Sequence, residues 1–311
     1  MNEDWRVIGK ELLYVASTLR NRSKGTNVSY SRKVFIPLTN FCQNFCRYCI
    51  YRRDPSDPLA KTLEPDEVEM VADDGWRVGC TEALFVTGDR PEASYQEVRV
   101  NLRKLGYVST VEYLRDMCEM VLKRTGLLPH SNPGTISKRE MGELKDVNAS
   151  LGLMLENVSA RLTLRGGPHE SSPSKDPKLR LATIEYAGQL KIPFTTGLLI
   201  GIGETSEEVV DSLFAIKDLH DRYRHIQEVI IQNFQSKPGI PMMDHPEPSP
   251  KYVMRVAAMA RLILGGDMNI QVPPNLSIQY ERYLDAGVND WGGISPITVD
   301  HINPEAPWPQ I

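Results

Sequence analysis

The stretch Val34-Phe-Ile-Pro-Leu-Thr-Asn-Phe-Cys-Gln-Asn-Phe-Cys-Arg-Tyr-Cys49 runs from an apolar segment of strand length directly into three closely spaced cysteines. A short apolar run that ends in turn chemistry reads as a buried strand, here Val34–Leu38. Thr39 and Asn40 close it, which puts the cysteines on a loop at the strand's C-terminal end. Only five cysteines occur in 311 residues, and Cys42, Cys46 and Cys49 all fall in this loop. Three thiolates can hold three corners of a cubane 4Fe-4S cluster and leave the fourth iron open, whereas structural metal sites are normally closed by four ligands.

Outward from this loop, strand-length apolar runs alternate with amphipathic helical patterns. The expected strands are Val34–Leu38, Ala83–Thr87, Leu127–His130, Ala149–Leu155, Phe194–Ile200, Glu228–Asn233, Met268–Val272 and Val288–Ile294. Strands separated by helices indicate a parallel sheet, because parallel neighbours need long crossovers. Helix starts are marked by Pro65, Pro177 and Pro250 at first helical positions and by the capping boxes Ser137…Glu140 and Thr205…Glu208. The pattern predicts an α/β fold, a (β/α)8 TIM-type barrel, with a six-stranded partial barrel left open by periodicity alone. No composition break divides the chain, so one domain is expected over 1–311. An N-terminal helix in about 1–28 and a Pro-rich tail in about 303–311 are additions to it.

Lys and Arg total 36 against 40 Asp and Glu, a net charge of −4, so no basic surface for nucleic acid is expected. Phe194–Ile202 is the longest apolar stretch and is too short to cross a bilayer, so no membrane association is expected. Met1-Asn-Glu-Asp4 lacks the basic start of a signal peptide. Cys80 and Cys118 lie apart, within helical patterns, and read as core residues; a reducing cytoplasmic setting follows. A zinc knuckle would need a second Cys or His pair that is not visible, and a Cys46–Cys49 redox pair leaves Cys42 unexplained.

A C-x3-C-x-aromatic-C loop after the first strand of such a barrel resembles the radical S-adenosylmethionine (SAM) enzymes. The resemblance implies a 4Fe-4S cluster on Cys42, Cys46 and Cys49, with SAM as cosubstrate on the open iron and Tyr48 shielding the cluster. It further implies cofactor contacts at Gly88 and Asp89 after the second strand, at Glu156 for the ribose, and at Arg180 for the methionine carboxylate. Gly201 and Gly203, after the fifth strand, would let adenine approach. An electron donor such as ferredoxin or flavodoxin is implied as well.

Longer phrases narrow the resemblance: Thr87-Gly-Asp-Arg-Pro-Glu92, Thr125-Gly-Leu-Leu-Pro-His130, Gly166-Gly-Pro-His169, Asn289-Asp-Trp-Gly-Gly293 and His301-Ile-Asn-Pro-Glu-Ala-Pro-Trp-Pro309. In this order they are similar to the CofG-like family of 7,8-didemethyl-8-hydroxy-5-deazariboflavin (FO) synthases. That family implies cyclisation, with loss of ammonia, of a hydroxybenzyl–ribityl–uracil adduct supplied by a CofH-like partner enzyme. Such a substrate needs neutral hydrogen-bonding groups, for which His130, Asn132, Gln232, Asn233, Asn275 and Asp290 are candidates, and an aromatic wall such as Tyr51 or Trp291. Other radical cyclisations or sulfur insertion within the superfamily, and an electron carrier or zinc module outside it, are the competing readings.

Overall fold

The computed structural model describes residues 3–310. Its strands are β1 Ser29–Thr39, β2 Glu82–Thr87, β3 Leu128–Asn132, β4 Ser150–Gly152, β5 Phe194–Ile200, β6 Ile226–Asn233, β7 Asn269–Gln271 and β8 Asp290–Ile294. They pair in sequence order, each parallel to the next, and β8 returns to β1 to close the barrel. The closed eight-stranded form therefore replaces the open alternative. The helices are α1 Glu3–Lys24, α2 Pro65–Arg77, α3 Pro91–Ser94, α4 Gln96–Lys104, α5 Thr110–Thr125, α6 Lys138–Lys145, α7 Pro177–Leu190, α8 Ser206–Tyr223 and α9 Pro250–Leu264.

The helix starts are chemically enforced. Ser137 caps α6 by accepting from Glu140 N–H, and Thr205 caps α8 by accepting from Glu208 N–H, each within a closed capping box. Asp176 and Ser249 cap α7 and α9, with Pro in the first turn of each. A cap of this kind stabilises a helix by about 1 kcal/mol. No α-helix separates β7 from β8; the 3-10 segment Tyr280–Ala286 stands there, and α1 packs across it and α9. The N-terminal helix thus covers the face that a missing crossover helix would leave bare.

Closure is uneven. β5 and β6 pair from Phe194↔Ile226 to Ile200↔Asn233, while β7 and β8 share only Gln271↔Asp290. β1 and β8 pair at Ser29, Ser31 and Arg32 and then diverge. The tail fills the gap: Phe35 N–H donates to Thr298 Oγ1 at 3.0 Å, and the Trp308 ring stacks on Phe35 at 5.3 Å. The main core lies between the strands and the helices, with Ile36, Phe85, Leu114, Ile184 and Val256 fully buried. Cys118 is buried within α5, as expected; Cys80 is buried too, but in the turn after α2 rather than in a helix.

Candidate active site

A cavity of about 360 Å³ runs into the C-terminal mouth of the barrel and is lined by Cys42, Cys46 and Cys49 together with Gly88, Asp89, Glu156 and Arg180. The mouth is where loops from every strand of such a barrel converge. The cysteine loop is fastened there by backbone hydrogen bonds to three other loops. Gln43 N–H donates to Asp89 O, Arg47 N–H to Pro168 O, and Met242 N–H to Arg47 O, at 2.9, 2.9 and 3.2 Å. Beneath it Leu162, Leu199, Phe234, Ile240 and Met242 form a small separate core against which Tyr48 and Ile50 pack.

The sulfur environment suits an iron–sulfur cluster. Cys42 Sγ accepts from Asp89 N–H at 3.2 Å and from Asn44 N–H at 3.4 Å. Burial pushes the free Cys42 thiol up to about 12, against the pull of these amides, and Cys49 is raised for the same reason. Such thiols lose their protons when iron binds, and N–H donors aimed at sulfur stabilise the charge that results. A single ion needs ligands that meet at one point, and among the described residues no three His, Cys, Asp or Glu side chains do so. A cubane asks for one thiolate at each of three separate irons.

Gly88 lines the cavity and has a structural reason beside the expected contact. A Cβ there would lie 1.7 Å from the Phe41 carbonyl oxygen, so the glycine lets the cysteine loop close over the end of β2. Asp89 is spent on architecture as well. Its Oδ1 accepts from Gln43 Nε2 at 3.0 Å, and its Oδ2 from Thr135 N–H at 3.0 Å and Ser174 Oγ at 2.6 Å. It therefore ties the cluster loop to the segment ahead of α7.

Glu156 lies just beyond β4, which ends at Gly152, earlier than expected. It bridges to Leu198 of β5 and adopts a left-handed φ of 65°. A non-glycine residue in that region is strained and is held there by its surroundings. The holder is a buried charge cluster: Lys175 Nζ donates to Glu156 Oε1, and Arg180 Nη2 stands 3.6 Å from the same oxygen. Burial raises the Glu156 carboxyl, but Lys175 and Arg180 outweigh it and the net shift is downward. Arg180 is no helix-surface residue; it is buried and donates to the Met154 and Ser174 carbonyls at 2.6 and 3.1 Å. Tyr48 also lines the cavity, 3.2 Å from His169 Nε2, and burial beside Lys175 holds His169 near 3, hence neutral.

Of the substrate candidates, His130, Asn132, Gln232 and Asn233 line the cavity. β3 runs on to Asn132, so His130 faces the interior one pleat deeper than expected; its Nδ1 meets Ser150 Oγ at 2.6 Å and its Nε2 meets Asn132 Oδ1 at 3.2 Å. Asn233 is 5% exposed, and its Oδ1 is buried without a partner. Asn275 lies elsewhere, donating to Asp300 Oδ2 and the Ala306 carbonyl at 3.0 and 3.3 Å, where it holds the tail. Asp290 opens β8 instead of ending it, so it sits at the far end of the barrel, accepting from Ser29 Oγ at 2.9 Å and Gly292 N–H at 2.6 Å.

Gly201 and Gly203 are outside the cavity lining. Glu204 accepts from the Gly201 and Ile202 amides at 2.7 and 2.8 Å, so the loop satisfies its own donors; a Cβ on Gly201 would strike the Pro248 ring. Tyr51 lines the cavity, with its hydroxyl donating to Thr39 O at 2.9 Å, whereas Trp291 packs edge-on to Tyr280. Residues not anticipated are Lys175, His169, Lys33, Thr195, Glu228 and Gln271. A visible signal existed for three of them: Lys33, Glu228 and Gln271 are polar side chains directly beside the apolar residues Val34, Val229 and Ile270 of their strands.

Residues 36–216 match the Radical SAM superfamily. A 7,8-didemethyl-8-hydroxy-5-deazariboflavin synthase of Methanopyrus kandleri is 55% identical over 91% of this chain and 85% of its own length. Its namesake in Methanocaldococcus jannaschii is 51% identical over 97% of this chain and 83% of its own. An FO synthase of Mycobacterium tuberculosis is 49% identical over 91% of this chain, which spans only 34% of that longer protein. Among solved structures, the [FeFe]-hydrogenase maturase HydG superposes with a TM-score of 0.76 at 17% identity, over 94% of this chain and 62% of that one. Methylornithine synthase (PylB) gives 0.70 at 18%, over 94% and 79%; both likenesses concern the fold.

Proposed function

The chain belongs to the radical SAM superfamily and, within it, to the 7,8-didemethyl-8-hydroxy-5-deazariboflavin synthases, and from that premise we propose that it closes the deazaflavin ring of FO. The substrates are 5-amino-5-(4-hydroxybenzyl)-6-(D-ribitylimino)-5,6-dihydrouracil and SAM, and the products are 7,8-didemethyl-8-hydroxy-5-deazariboflavin, ammonia, methionine, 5′-deoxyadenosine and a proton, so that SAM cleavage takes up the two electrons lost by the adduct. The observation that carries the reading is one cavity in which three loop cysteines share a wall with the Glu156–Lys175–Arg180 cluster, with the amides of Asn132, Gln232 and Asn233 and the neutral His130 beside them.

Cys42, Cys46 and Cys49 hold the 4Fe-4S cluster. Glu156 accepts from the ribose hydroxyls of SAM, and Arg180 and Lys175 face its carboxylate while keeping Glu156 ionised. Asp89 positions the cluster loop through Gln43 and Ser174. Held there, the cluster and SAM would supply deoxyadenosyl-radical chemistry to the adduct in this cavity. Tyr48, packed on the loop core, and Tyr51, pinned to Thr39 O, shield the space from water, as radical chemistry requires. Asn132, Gln232 and Asn233 face the uracil; the partnerless Asn233 Oδ1 is an acceptor waiting for a ring N–H.

Partner roles follow from the reaction. A CofH-like enzyme supplies the adduct, in keeping with the greater length of the Mycobacterium tuberculosis FO synthase, and a low-potential ferredoxin or flavodoxin supplies electrons. A reducing cytoplasm is the setting we assign, because cluster-ligating thiolates at Cys42, Cys46 and Cys49 need one; among the described residues no helix is long and apolar enough to cross a membrane.

The test supplies reduced, reconstituted protein with SAM and the purified adduct. Fluorescent deazaflavin, released with 5′-deoxyadenosine, is the expected result. Deoxyadenosine without deazaflavin leaves only the superfamily chemistry, and a fourth protein ligand on the cluster overturns both.

A further inference from the structure

A barrel of this kind normally fills its interior with layers of bulky branched side chains. Here the deep end of the cavity is polar instead. Lys33 of β1, Thr195 of β5, Glu228 of β6 and Gln271 of β7 all line it. Glu228 Oε1 accepts from Thr195 Oγ1 at 2.7 Å, and Lys33 Nζ lies 3.0 Å from Glu82 Oε2. Lys33 is 6% exposed and Gln271 7%, so both are removed from bulk water.

Space for these groups comes from glycines. A Cβ on Gly293 would come within 2.8 Å of Lys33 Cδ, and one on Gly292 within 2.1 Å of Gln271 Nε2. A Cβ on Gly152 would lie 2.3 Å from Asn132 Oδ1 and 2.9 Å from His130 Nε2. Strand glycines weaken a sheet and often mark close approach. Three of them beside polar side chains make room for a polar interior, not a packed core.

Depth follows from strand register. Glu156 bridges to Leu198, and Leu199 pairs with Gln232, so Gln232 belongs to the Glu156 end. Glu228 is four residues upstream on the same face of β6, about 13 Å back along the strand and so toward the opposite end of the barrel. Phe35, Leu84 and Ile230 form an apolar waist between the two ends.

We propose that this floor is a polyol subsite in which Glu228, Thr195, Lys33 and Gln271 bind the ribityl chain of the substrate. The assignment rests on the function proposed above. The uracil and hydroxybenzyl rings, which both react, belong between the Glu156 end and the apolar waist. The ribityl chain is the part left unchanged, and its hydroxyls both donate and accept. A carboxylate offers acceptors only and an ammonium donors only, so together they read a chain of hydroxyls that neither could satisfy alone.

The experiment uses cluster-loaded enzyme with SAM and compares the ribityl adduct with an analogue carrying methyl in place of ribityl. Binding is titrated directly and kcat/KM is measured, for wild type, Glu228→Leu and Thr195→Val. Wild type should prefer the ribityl compound by about 100-fold, since buried polar groups left unpaired reject the truncated ligand. Glu228→Leu should cut that preference to below about 10-fold, with Thr195→Val falling between. Cluster absorption and SAM titration report whether each variant is intact. An unchanged preference in an intact variant, or equal loss for both compounds, overturns the proposal. If wild type binds the adduct but forms no deazaflavin, the ring-closing function fails while the binding ratio still decides the subsite. If wild type binds neither compound, both fall.

Discussion

At the mouth, Glu156 is held by Lys175 and Arg180, which arrive on the loop before α7 and on α7 itself; at the floor, Glu228 is held by Thr195 from the adjacent strand. The mouth is therefore assembled from long loops anchored to one another, with a left-handed Glu156 as the visible strain. The floor is assembled from strand register, and its cost is met by glycines in β8 and β4. The difference separates two tasks. Loop-borne groups can adjust when a cosubstrate enters, while strand-borne groups hold a fixed pattern suited to discriminating a substrate.

The most damaging way to break the mouth is to remove a thiolate. Cys46→Ala should abolish deoxyadenosine formation, a loss of more than about 1,000-fold, since the radical source is gone. Iron content and visible absorption after reconstitution check it; a variant that keeps cluster and activity defeats the ligand assignment.

Glu156→Gln should come next. It leaves Lys175 and Arg180 buried without their carboxylate, which costs about 3–5 kcal/mol when a buried pair is broken. The KM for SAM should rise about 10- to 100-fold, with the adduct's KM affected far less. A Glu228 variant should show the reverse order. Equal effects on both ligands from both variants would erase the distinction between the two ends.

Acid sensitivity sharpens the comparison further. Burial first, then Lys175 at the mouth or Lys33 at the floor, holds His169 and His130 near 3, below the ordinary 6.5. A depressed histidine binds its proton in the unfolded chain first, so the stability is present above pH 6.5 and is lost as pH falls toward 3. Each residue should cost up to about 2 kcal/mol between pH 6.5 and 5. Denaturant titrations of His130→Gln and His169→Gln should each show a shallower acid limb. If one variant leaves the limb unchanged, that histidine is not the neutral group described.

Trp308→Ala should have the smallest effect. It removes the stack on Phe35 that plugs the gap between β1 and β8, worth about 1 kcal/mol beyond its burial. A lower melting temperature and a higher ratio of deoxyadenosine to deazaflavin are expected. No change in either would mean that the tail does not seal the substrate side.

Much was legible in the residues themselves. Alternating strand and helix patterns, Pro at the first turns and the capping boxes depend on neighbours a few positions apart, so the order of elements follows from local chemistry. The cysteine spacing is local too, and with it the expectation of a cluster. What local pattern could not decide was facing. Asn275 and Asp290 are candidates for substrate contact by side-chain chemistry, yet one holds the tail and the other opens β8. Gly201 and Gly203 are occupied with a turn closed by Glu204. A shift of one residue in a strand turns a side chain to the other face.

The sequence by itself determined an α/β barrel with three cysteines on its first loop, since both rest on short-range periodicity and spacing. Only the tertiary structure decided closure, the pairing of Glu156 with Lys175 and Arg180, and the depth at which Lys33 and Glu228 sit. Those depend on register between strands far apart in the chain, and packing of the whole barrel sets that register.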